Sequence, residues 1–155
     1  MSTTMTVSRL STTPVKGLSL HHPEHLDIEA GRVAGDREFF LVDAKDELIS
    51  CTEIGELTRV SASYDVGTGR LTMHGPDGVL RSEFVVHGHP FVTDFYGLRD
   101  VEGHLVDGWD DLLSEIGGQS GRLGHGPSGG FDVAAVTLLG TAPTDDLAAR
   151  HPAPE

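Results

Sequence analysis

Cysteine and lysine are nearly missing from this chain. One cysteine, Cys51, excludes an internal disulfide framework and a cysteine-based zinc site. Lysine occurs twice, at Lys16 and Lys45, and all cations together number 11 against 24 acids, a formal charge of −13. So negative a field repels phosphate backbones and anionic lipid, which sets aside nucleic acid and membrane surfaces as partners. No apolar run approaches the roughly 20 residues that span a bilayer. The opening "MSTTMTVSRL" lacks the apolar core of a secretory signal. The expectation is a soluble, cytoplasmic protein. Abundant glycine, aspartate and alanine with so little lysine is the usage of a GC-rich bacterium.

What is present points to short strands. The 155 residues suit one domain, or one domain and part of another, and twenty glycines imply many turns. "REFFLVD" is an apolar run that predicts a strand buried on both faces, with "LISCTE" as its hairpin partner. "VSRLSTTPVKGL" reads as an edge strand running into a loop, and "LDIEAG" as a brief strand. In "LTRVSASYD" and "RLTMHG" apolar residues alternate with polar ones around the turn "VGTGR", and "VLRSEFVV" follows the turn "GPDG". Strands and turns at this spacing predict a barrel or sandwich.

The texture then changes. Trp109, Leu112, Leu113 and Ile116 fall on one helical stripe, with Asp107 as the expected N-cap and Gly117–Gly118 as the stop. "GHGPSGG", 124–130, reads as a flexible linker and places a domain boundary there, giving 1–125 and 126–155. Beyond it "DVAAVTLLG" reads as a buried strand and "PTDDLAAR" as the start of a helix. The expected class is mainly β (α+β), with one or two short helices.

Two cations stand where the backbone leaves a turn: Lys16 in "TPVKG" and Arg37 in "GDREFF". A lysine offers a compact charge and an arginine a planar fork, so together they could hold a phosphate or carboxylate. The plainer reading makes them solvated surface cations, with Arg37 paired to Asp36. The histidines of "HHPEH" (His21, His22, His25) and "HGH" (His87, His89) read as loop residues rather than metal ligands, because zinc needs three or four convergent donors. Cys51 reads as a small buried hydrophobe. No motif for a nucleophile elbow, a Walker loop or a zinc protease is present. No catalytic residue and no metal ligand is assigned.

These residues, in order, resemble proteins with an MOSC N-terminal β-barrel domain. The resemblance rests on Pro14-Val15-Lys16, Gly35-Asp36-Arg37 followed by Leu41-Val42-Asp43, "DGWDDLLSEIGGQSGRLGH" and "VTLLGTAPTDDLAAR". It implies a β-barrel followed by the first strand and helix of an MOSC domain. It also implies a molybdenum cofactor (molybdopterin) whose phosphate or nearby groups Lys16 and Arg37 contact, with Thr141 in a strand-to-helix turn lining the same pocket. The parent activity implied is an oxidoreductase acting on N-hydroxylated or related small substrates, or a sulfur carrier; the family is also described as binding pyridoxal phosphate. A redox partner protein is implied, and a homodimer is left open. The chain departs from the family at Thr13, Gly140 and Pro143, and no residue matches the family's molybdenum-ligating cysteine. The expectation is therefore a truncated member that does not turn over alone, with a non-catalytic anion-binding or interaction module as the alternative.

Overall fold

Phe39-Phe40-Leu41-Val42 carries an apolar side chain at every position, so both faces of that strand need cover. The computed structural model, which describes residues 6–150, supplies both. Met1–Met5 of the stretch read for a signal, and the closing "HPAPE", lie outside the described residues.

The elements run β1 (Ile28–Glu29), β2 (Arg32–Val33), β3 (Phe39–Val42), β4 (Leu48–Ile49), a 3₁₀ turn (Gly55–Arg59), β5 (Ser61–Asp65), β6 (Arg70–Gly75), β7 (Gly78–Phe84), β8 (His87–Asp94), β9 (Asp100–Val106), α1 (Asp110–Gly117), β10 (Arg122–His125) and α2 (Thr141–Arg150). They form a two-stranded ribbon β1-β2, a five-stranded sheet β4-β3-β10-β9-β8 and a three-stranded sheet β5-β6-β7. All strand pairs are antiparallel. The protein is thus mainly β, and none of its sheets closes into the expected barrel. The three-stranded sheet stops at β7, and the five-stranded one at β8 and β4.

One face of β3 enters the main core. Phe39 and Leu41 meet Val106 and Leu123 of their own sheet, Ala62, Leu71 and Met73 of the three-stranded sheet, Leu57 of the 3₁₀ turn, and Trp109, Leu112 and Leu113 of α1. The helical stripe thus faces inward as its spacing predicts. Its cap does not follow the expectation: Trp109 holds the N-cap position without a side-chain bond. Asp107 is engaged elsewhere, its backbone N–H donating to the Val86 carbonyl at 3.0 Å.

The other face of β3 builds a smaller cluster, Phe40 and Val42 with Phe91, Phe95 and Val101. The glycine-rich stretch read as a linker lies here. Gly124, Gly126, Gly129 and Gly130 are buried. A Cβ on Gly124, Gly126 or Gly130 would come within about 3 Å of the Phe40 side chain. Absence of side chains lets the backbone lie flat on that ring.

Two expected strands do not form. Val7–Leu18 contributes only isolated bridges, Thr12 to His21 and Val15 to Phe39, because Pro14 brings no N–H to a ladder. "DVAAVTLLG" finds no sheet edge: it lies outside every strand, with Val133, Leu138 and Leu139 at least 73% exposed.

Gly103 offers a test of the sheet packing. A Cβ there would sit 2.5 Å from the His125 carbonyl oxygen, a backbone atom that cannot swing away. Gly103→Ala is expected to lower unfolding free energy by about 1–3 kcal/mol in urea denaturation. Gly55→Ala, where nothing lies within 4 Å, serves as the matched control.

Candidate functional site: a cationic clasp on residues 127–135

The site begins with Asp36. One oxygen of its carboxylate accepts from the Thr12 hydroxyl (2.7 Å) and the Thr13 N–H (3.1 Å), and the other accepts from Arg37 Nε (2.5 Å). Backbone bonds continue the seam: Arg37 N–H to Thr13 O, Phe39 N–H to Pro14 O, and Lys16 N–H to Phe39 O. The loop carrying Lys16 is thereby laid against the start of β3, which carries Arg37 just before it. Arg37 itself sits at φ +50°, a left-handed conformation that glycine usually supplies. The bonds to Thr13 O and from Gly130 N–H fix its backbone there.

Both side chains turn to one segment. Lys16 Nζ lies 2.8 Å from an Asp132 carboxylate oxygen, and Arg37 donates to the Ala135 carbonyl at 2.9 Å. Two further arginines join from elsewhere. Arg32 donates to the Pro127 carbonyl. Arg99, on the turn between β8 and β9, donates to Gly129 O (2.6 Å) and Phe131 O (2.8 Å). Its guanidinium also stacks 4.4 Å from the Phe131 ring centroid. Four of the chain's eleven cations thus converge on residues 127–135. Lys16 is 15% exposed with the Phe95 and Tyr96 rings about 6 Å away, so its charge is partly shielded and its pairing with Asp132 is stronger than a fully solvated one.

Thr141, the third predicted residue, opens α2, is exposed, and has no hydrogen bond to either cation. Its carbonyl accepts from the Thr144 hydroxyl. Cys51 is partly buried against the main core, the place of a small hydrophobe. His22 of "HHPEH" bonds Ser11 Oγ at 3.0 Å on the surface.

A second cluster escaped the sequence reading. His87 Nε2 lies 2.7 Å from His125 Nδ1, and the far nitrogen of His125 points at Glu38, 3.7 Å away. His125 stacks on Phe39, with Tyr64 edge-on and His104 beside His87. Of the two ring nitrogens in the His87–His125 contact, one donates and the other accepts. Burial first, then the charges of His125 and His104, holds His87 below its ordinary value of 6.5. The neighbouring His125 side chain, opposed by burial, holds Glu38 below 4.5. Among the described residues no group of three histidine, cysteine, aspartate or glutamate side chains forms a metal cluster.

No protein-family model matches the chain, and neither a curated protein nor a solved structure does. No helix among the described residues is long and apolar enough to cross a membrane.

The histidine pair predicts a pH dependence. A base held below its unfolded value destabilises the fold as pH falls through that value, so unfolding free energy should decline as pH drops through 6.5. Glu38, an acid held low, keeps its contribution until pH falls below 4.5. His87→Ala should flatten the upper decline and leave the lower one, as read by denaturant unfolding across that range.

Proposed function

We propose that this chain is an anion-binding β-protein whose paired cations, Lys16 and Arg37, receive the phosphate or carboxylate of a small-molecule cofactor. One observation carries the reading: Lys16 Nζ already holds a carboxylate, that of Asp132, at 2.8 Å, while Arg37 reaches the same segment. Asp132 stands in for the anionic group of a ligand. A compact ammonium beside a planar guanidinium is the donor set that phosphate recognition uses. The resemblance to MOSC proteins names the cofactor class, a molybdenum cofactor, and the parent chemistry, an oxidoreductase or sulfur carrier for small N-hydroxylated or related substrates.

The residues present fit the anionic end of such a cofactor and not its metal. The one cysteine packs against the main core. This chain's part is therefore to bind and orient, and turnover is not assigned to it. Thr141 enters the site only if residues 136–141 move toward the cations.

A second reading has its own support. Every predicted cation is already satisfied within the chain, Lys16 by Asp132 and Arg37 by Asp36 and Ala135 O. On that reading the four cations are a structural clasp, and the protein is a non-catalytic module.

Calorimetric titration with inorganic phosphate and with molybdopterin separates the two. If the pair binds anions, Lys16→Ala or Arg37→Ala should each weaken binding by about 1.5–3 kcal/mol. Asp132→Asn, which removes the internal competitor, should strengthen it. If neither probe binds the parent or Asp132→Asn, and the cation variants lose only stability, the clasp reading stands.

A further inference from the structure

Strand β7 ends the three-stranded sheet and pairs only with β6. The other sheet margins are short, interrupted or bridged. β4 has two residues. β8 carries Pro90 and a register irregularity against β9. β5 is bridged by Ser19 at Ser61. β7 has seven residues, and its one irregularity, opposite Met73 and His74, leaves Arg81 to Phe84 in regular pairing.

The direction of its free groups follows from its two ends. The Val85 N–H turns inward to Gly69 O, and the Val86 carbonyl turns outward to accept from Asp107. Since neighbouring residues of an antiparallel strand address opposite edges, Ser82 and Phe84 present their N–H and C=O along the open edge. The Ser82 carbonyl also receives a long bond, 3.3 Å, from Arg70, which leaves its second lone pair free. Leu80, Phe84 and Val86 flank this edge at 44%, 55% and 55% exposure.

We propose that β7 pairs antiparallel with β7 of a second copy of this chain, about a two-fold axis at Ser82. Charge selects that register. With Ser82 opposite Ser82, Arg81 of each copy stands across from Glu83 of the other, twice by symmetry. A shift of the axis to Arg81 sets like charges face to face. Arg81 also donates to the Gly108 carbonyl and grips its own Asp111 with two bonds of 2.6 and 2.8 Å, so its guanidinium is fixed in place and Glu83 of the other copy would join that pair. The two three-stranded sheets become one of six strands, and a long open edge, otherwise a route to uncontrolled association, is closed.

Sedimentation velocity on the full chain tests this. The parent should run as a dimer that dissociates on dilution. Ser82→Pro removes an N–H that points to the open edge, so it should give a monomer with an unchanged far-ultraviolet circular dichroism spectrum. Exposed Glu83, replaced by Arg, places Arg opposite Arg81 and should shift the equilibrium toward monomer without touching the fold. A parent that is monomeric up to its solubility limit overturns the proposal. So does a dimer whose dissociation constant is unchanged in the Glu83→Arg variant.

Discussion

The Asp36 carboxylate is the constraint on which the site depends. It sits 10% exposed and accepts three bonds, two from the loop at Thr12 and Thr13 and one from Arg37. Removing it would leave the Thr13 N–H and Arg37 Nε without their partner, and would loosen the hold of the Lys16 loop on the start of β3. A partly buried acceptor that satisfies several donors at once is worth more than a surface pair of the same charges, because donors shielded from water would otherwise be desolvated without return. The charge at the mouth of a buried strand is thus a fastener first. Its consequence is that a lysine and an arginine, 21 positions apart in the chain, point the same way.

Local pattern made much of this legible. The continuous apolar run of β3, the alternation in β5 and β6, the turn between them and the stripe of α1 all express periodicities that neighbouring residues set by themselves. Lys16 and Arg37 stood out because each lies one or two positions from a glycine where the backbone leaves a turn. Their partners did not stand out: Asp132 and Ala135 come from a stretch about a hundred residues later, and Arg99 lies on a turn with no motif around it. His125 and Glu38 were equally silent, since a histidine in "GHGP" and a glutamate before two phenylalanines acquire a relation only when β10 lies beside β3.

The failures have one cause as well. A glycine-rich stretch reads as a linker when glycine is taken for freedom alone, yet Gly124, Gly126 and Gly130 are there because the Phe40 ring leaves no room for a side chain. "DVAAVTLLG" has the composition of a buried strand, but burial requires an edge to join, and this stretch pairs with none of the sheet margins. Composition states what a segment would accept; the surrounding surface decides whether it is offered.

The aromatic ring of Phe40 has a consequence for how this protein can vary. It acts as a gauge of thickness: whatever crosses it can be no deeper than a bare peptide. Three positions of the crossing segment are therefore closed to every side chain, while residues a few places further on, lying against nothing, are free to change in size and character. Sequence drift should pile up beyond Ala135 and stall before Phe131.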